Sequence, residues 1–134
     1  MKTLNRLLLN LISNDLDASK TFYTTLFDFE VDFDSDWFVH LKSKEHSFEL
    51  GLISDTSDGL PPGAIAGSQG FYATLVVDDA DVVFDDAKRV GAEVVSKPEN
   101  TFYGQRRLVL RAPEGTLIDV SSPIPYFSPE TLKE

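Results

Sequence analysis

The sequence predicts an α+β fold made of two βαβββ modules, and three observations predict it. The order strand, helix, strand, strand, strand can be read twice along the chain, and internal repetition of this kind is a direct pointer to architecture. A stretch rich in Gly, Pro, Ser and Asp, residues 54–69 (SDTSDGLPPGAIAGSQ), separates the two occurrences. In each occurrence one helix carries an apolar stripe, which suits it to cover one face of a sheet. Two such modules can join their sheets into one curved mixed sheet, with helices outside and a cleft inside. The whole chain, 1–134, is read as a single domain. Module one covers about 7–53 and module two about 70–122, with a tail over 123–134.

Module one begins with the short apolar run 7–13 (LLLNLIS), read as a strand that stops at Asn14 and Asp15. Residues 15–27 (DLDASKTFYTTLF) open on capping and acidic residues. Leu16, Phe22, Tyr23, Leu26 and Phe27 then recur at helical spacing. Residues 29–33 (FEVDF) alternate as a strand does. Residues 36–42 (DWFVHLK) and 47–53 (SFELGLI) give two more, joined by the polar turn 43–46.

Module two repeats the order. Residues 71–77 (FYATLVV) form a strand. Residues 79–90 form a helix with Ala80, Val83, Phe84, Ala87 and Val90 on one face, stopped by Gly91. Strands follow at 93–96 and 105–111 (QRRLVLR). The turn 112–116 (APEGT) has Pro and Gly where a turn uses them, and 117–121 (LIDVS) is the last strand. The tail carries three prolines and is expected to run over the surface.

Bulk composition narrows the function. The chain has 134 residues, 42% of them hydrophobic, enough to bury a core. Its net charge of −10 argues against nucleic acid and against an anionic membrane surface, both of which select basic faces. Cysteine is absent, which excludes disulfides, thiol catalysis and thiolate metal sites, and accords with a reducing cytosol. The apolar run 7–12 is interrupted by Asn10, is short for a signal-peptide core, and precedes no small-residue cleavage site. No stretch approaches a membrane span. A cytoplasmic protein is expected.

Three segments carry a resemblance: 13–23 (SNDLDASKTFY), 76–94 (VVDDADVVFDDAKRVGAEV) and 103–120 (YGQRRLVLRAPEGTLIDV). In order and spacing they resemble the vicinal-oxygen-chelate superfamily, which includes glyoxalases, bleomycin-resistance proteins and extradiol dioxygenases. The likeness runs from about residue 7 to 122. It implies paired βαβββ modules around a cleft, and commonly a homodimer. Metal-dependent members use four ligand positions, and the resemblance places these at Leu8, Glu49, Tyr72 and Asp119. Two carboxylates thus remain where two imidazoles are gone. Leucine has no donor atom, neutral tyrosine is a poor ligand, and two carboxylates alone hold Ni, Zn or Fe weakly. Shifting the first position to Asn10 would supply only an amide. No metal and no cofactor is expected. The histidines, His40 and His46, match no ligand position: His40 alternates with Phe38 and is expected to point away from the cleft, and His46 sits in a turn.

Alternation assigns faces independently of the resemblance. Leu8 and Asn10 oppose Leu7, Leu9 and Leu11. Glu49 opposes Phe48, Leu50 and Leu52. Tyr72 and Thr74 oppose Phe71, Ala73 and Leu75, and Asp119 opposes Ile118 and Val120. One face of each strand is wholly apolar and suits a helix. The other is mixed, as ligand sites are. Correspondence between modules adds Trp37, Val39, Arg107 and Val109 to the mixed face. Phe102 and Tyr103, beside Gly104, suit either an aromatic lip or ordinary core.

These residues frame the functional expectation, a metal-independent small-molecule-binding protein of the glyoxalase/bleomycin-resistance type. It would sequester an antibiotic or another cationic or aromatic ligand. Leu8, Asn10, Trp37, Val39 and Glu49 would bind ligand in module one, and Tyr72, Thr74, Tyr103, Arg107 and Asp119 in module two. The alternative is an enzyme of the same superfamily, a lyase, isomerase or dioxygenase, using Glu49 and Asp119 as base or residual metal ligands. A third possibility is that Arg107 pairs with Glu49 or Asp119 and closes the cleft, because buried charges need partners.

Overall fold

Both helices start where short acidic side chains satisfy the first free backbone N–H groups. The computed structural model describes residues 1–67, 69–125 and 127–128. In it α1 (Leu16–Leu26) is capped by Asp15, whose carboxylate accepts from the Ala18 N–H at 3.0 Å. Helix α2 (Ala80–Val90) is capped by Asp79, which accepts from the Asp81 N–H at 2.9 Å. It ends on Gly91 at φ 75°, a left-handed conformation that only glycine adopts freely.

The strands around α1 are β1 (Leu9–Ser13), β2 (Phe29–Asp34), β3 (Phe38–Ser43) and β4 (Glu49–Ser54). Those around α2 are β5 (Ala73–Val76), β6 (Glu93–Asn100), β7 (Gln105–Arg111) and β8 (Leu117–Pro123). The first sheet has the order β1-β4-β3-β2 and the second β5-β8-β7-β6. In each, the first strand pairs parallel with the last, and the other pairings are antiparallel. The duplicated βαβββ order is therefore also a duplicated sheet topology, and the fold is α+β. Residues of the tail at Tyr126 and 129–134 lie outside the described ones, so the expected surface course of that segment is not described further.

The strand beginning at Glu93 runs past Ser96, where the sequence suggested a stop, and carries Pro98. β6 is an edge strand, so a missing N–H is tolerated there, and the pairing with β7 shifts register between Ser96 and Glu99.

By contact the chain forms two compact units. Met1–Gly67 with Pro113–Gly115 make the first, and the second holds Ser68–Ala112 and the chain from Thr116 onward. In the first unit Leu11, Val39, Leu41, Leu50 and Leu52 are buried with Phe22, Tyr23 and Leu26 of α1. In the second, Leu108, Leu110, Ile118 and Val120 are buried with Ala80, Val83 and Ala87 of α2. The turn residue Glu114 is buried in the first unit. It accepts from Ser19 Oγ at 2.8 Å and from the Tyr23 hydroxyl at 2.6 Å. No helix among the described residues is long and apolar enough to cross a membrane.

Candidate ligand site

The face of the first sheet opposite α1 is set by strand register. Residues paired across neighbouring strands share a side. Asn10 pairs with Gly51 and Ile12 with Ile53. His40 also pairs with Gly51, Phe38 with Ile53 and Lys42 with Glu49. Asn10, Ile12, Phe38, His40, Glu49, Gly51 and Ile53 therefore lie on one side. Val39 pairs with Leu52 and is 1% exposed, in the core beneath α1. This corrects two expectations. Val39 does not face the ligand side, and His40 does. Trp37 precedes the strand, in the bend after Ser35, so strand alternation does not fix its side chain.

Two different environments share this side. The first is charged. The Arg6 guanidinium grips Glu49, with Nε at 2.8 Å from Oε2 and 3.0 Å from Oε1, and Nη2 on Oε1 as well. His40 Nε2 lies 2.7 Å from Glu49 Oε1, and His40 Nδ1 lies 2.9 Å from Asp32 Oδ2. Hydrogen bonds from Arg6, assisted by its charge and by the hydrogen bond with His40, hold the Glu49 carboxyl down at about 2 against the opposing effect of desolvation. The Arg6 pKa is raised in turn by Glu49. Sequence reasoning missed Arg6 altogether. His46, the other histidine, is exposed in its turn, with its ring tilted over Phe48 at 5.1 Å.

The second environment is an apolar pocket of about 250 Å³. Its floor is Leu8, Asn10, Ile12, Phe38 and Ile53, and Trp37 stands at its side with Gly59, Leu60, Pro61 and Ala64. The Trp37 and Phe38 rings lie 5.5 Å apart at 34°. Part of the segment expected as a linker thus forms a wall. Gly51 makes the floor possible. A Cβ there would collide with Asn10 Oδ1 and stand 2.8 Å from the Phe38 ring, so its absence lets both side chains lie over the strand. The Asn10 carboxamide makes no hydrogen bond to any described residue.

The second unit has its own polar side. Thr74 pairs with Asp119, Val109 also pairs with Asp119, and Arg107 pairs with Ser121. Asp119 is buried and fully engaged: Oδ2 accepts from Thr74 at 2.9 Å and Oδ1 from Ser121 at 2.8 Å. Arg107 Nε stands 3.5 Å from Oδ1, and Arg107 Nη1 donates to the Tyr103 hydroxyl at 3.3 Å. Arg107 therefore pairs with Asp119. Tyr72 is 60% exposed, and Phe102 projects into solvent against the edge of Tyr103 at 5.2 Å. Gly104 admits the Phe127 ring where a Cβ would stand.

The four positions that the resemblance assigns to metal ligands offer donors that do not suit an ion. Leu8 and Tyr72 offer nothing useful, the oxygens of Glu49 are taken by a guanidinium and an imidazole, and those of Asp119 by two hydroxyls. Among the described residues no group of three or more His, Cys, Asp or Glu could hold an ion.

Known proteins place the fold. The chain resembles a bleomycin resistance determinant encoded on transposon Tn5, with TM-score 0.62 and 25% identity over 90% of this chain and 98% of that one. It resembles lactoylglutathione lyase from Agrobacterium tumefaciens, with TM-score 0.65 and 21% identity over 90% and 96%. It also resembles a glyoxalase/bleomycin resistance protein/dioxygenase family enzyme from Burkholderia phytofirmans PsJN, with TM-score 0.68 and 19% identity over 87% and 97%. No curated protein matches it. The sequence profile that matches residues 3–120 spans both βαβββ units, and by that match the chain belongs to the Glyoxalase/Bleomycin resistance protein/Dioxygenase superfamily.

Proposed function

We propose that the protein is a metal-independent small-molecule-binding member of this superfamily, of the bleomycin-resistance type, which sequesters an aromatic ligand. The observation that carries this reading is the apolar pocket of the first unit, with Trp37 at its side and no ionisable residue in its lining. Its size decides what enters. Drug-sized ligands fill roughly 300–1,000 Å³, and an apolar cavity of about 150 Å³ takes one benzene. A pocket of about 250 Å³ therefore suits a one- or two-ring system, either a small aromatic compound or one ring system of a larger antibiotic.

A cationic tail on such a ligand would be favoured by the net charge of −10, rather than by Glu49 or Asp119, which Arg6 and Arg107 already neutralise. The same two contacts weigh against an enzyme built on these carboxylates. A general base works best with a pKa near the working pH, and Glu49 is held at about 2.

The reading extends to a homodimer in the cytoplasm, without nucleic acid or membrane as partner. The acidic charge and the absence of cysteine support the last points. The experiment is a fluorescence titration. Trp37 is the sole tryptophan, so two-ring aromatics should change its emission saturably, and Leu60→Asp, which charges the pocket wall, should abolish the response. An emission indifferent to a broad aromatic library would remove the proposal.

A further inference from the structure

We infer that the pocket selects a neutral two-ring heteroaromatic that presents an N–H and a C=O on adjacent ring atoms, a cyclic amide edge, and that Asn10 reads this edge. The inference rests on the pocket of the first unit being a ligand site. Among the residues that line the pocket, Asn10 alone has a side chain that can both donate and accept; the only other polar side-chain group is the Trp37 indole N–H, a donor without an acceptor. The Asn10 carboxamide carries one acceptor and two donors, and none is used within the described structure. The side chain lies over Gly51, where any other residue would displace it, and beside the Phe38 ring.

A carboxamide offers C=O and N–H side by side, and its complement is another such edge. Asparagine reads adenine in this two-point manner in DNA grooves. Charge supplies the second half of the argument. Of the polar and charged groups on this side of the sheet, Arg6, Glu49, His40 and Asp32 are engaged with one another, and Lys42 is exposed four residues along β3 from Phe38, outside the pocket lining. A charged ring would enter an apolar lining without a counter-ion and lose its hydration. A plain hydrocarbon would fit the walls but leave Asn10 desolvated and unpaired, the condition under which polar sites discriminate strongly.

The test compares two neutral probes of equal size, quinolin-2(1H)-one and naphthalene, by Trp37 emission. The wild-type protein should bind the lactam about tenfold or more tightly than the hydrocarbon. Asn10→Leu, close in volume, should bring the two affinities together, chiefly by weakening the lactam. Far-ultraviolet circular dichroism should show the variant folded. Asn10→Gln keeps the amide on a longer stem and provides a second reading: it should retain part of the preference. If naphthalene binds wild type as tightly as the lactam, or the preference survives Asn10→Leu, the inference is overturned while the pocket remains a ligand site. If neither probe alters Trp37 emission, the ligand-site reading itself falls, and this inference with it.

Discussion

The guanidinium of Arg6 occupies the carboxylate of Glu49, and it does so from a position outside the first strand, 43 residues away in sequence. A cation supplied by the chain itself thus stands on one of the two carboxylates that the family resemblance marks as a metal-ligand position. Three consequences of this pair and its surroundings can be measured, and two more concern the framework.

Glu49 should make stability depend on acid. Its folded pKa, about 2, lies below the ordinary 4.5, so the unfolded chain binds more protons in that interval. The stabilisation is complete above pH 4.5 and is lost as pH falls toward 2. Thermal midpoints of wild type and Glu49→Gln should differ at neutral pH and converge across that window. A difference that persists at the acid end would contradict the pairing.

Metal should not bind stoichiometrically. Protein dialysed against Ni, Zn, Mn or Fe(II) should retain well under one ion per chain by elemental analysis, because Leu8 and Tyr72 lack suitable donors and Glu49 is held by Arg6. Tight one-to-one binding that Glu49→Gln removes would show that the guanidinium is displaced.

Gly51→Ala should damage the pocket more than the fold. The added Cβ meets the ends of the Asn10 and Phe38 side chains rather than backbone. The thermal midpoint should move little, while the Trp37 response to two-ring aromatics weakens at least several-fold. An unaltered titration would mean the floor residues do not contact ligand.

Tyr23→Phe should cost on the order of 2 kcal/mol in urea unfolding, since it removes a hydrogen bond to the buried Glu114 carboxyl and leaves that group short of a donor. A loss below a few tenths would mean that water replaces the hydroxyl.

Leu41→Ala and Leu108→Ala, both at fully buried positions in corresponding strands, should each cost about 2–5 kcal/mol. Denaturant midpoints check this, and a far smaller loss in either would mean that its unit closes over the cavity.

How far the sequence could be read depends on range. Alternation agrees with the register where the strands form, Asn10 sharing a side with Gly51 and Thr74 with Asp119, because each strand contrasts a fully apolar parity with a mixed one; Leu8 and Tyr72 precede their strands, so it says nothing of them. Correspondence between the modules failed on β3, where it put Val39 on the same face as Trp37. Trp37 precedes the strand, so its placement in the pocket does not carry over to Val39. The signal was present: Val39 and Leu41 are the apolar parity, and Phe38, His40 and Lys42 the mixed one. Two features had no local signal. Arg6 meets Glu49 only after β1 and β4 pair, and the stretch from Gly59 to Ala64 becomes a pocket wall without any periodicity of its own. Composition marked that stretch as irregular chain, which is true and says nothing of what it covers.

The contact of Glu114 with Ser19 and Tyr23 bears on whether the repeated chain is divisible. Partner and carboxylate are 95 and 91 residues apart, so the first unit is completed by three residues that interrupt the second in sequence. A cut anywhere in 54–69 would yield a leading fragment deprived of that carboxylate and a trailing fragment holding it without its donors. The halves repeat one another in pattern, yet only the leading one is left short of its unit: it cannot become a freestanding gene without first replacing what Glu114 supplies.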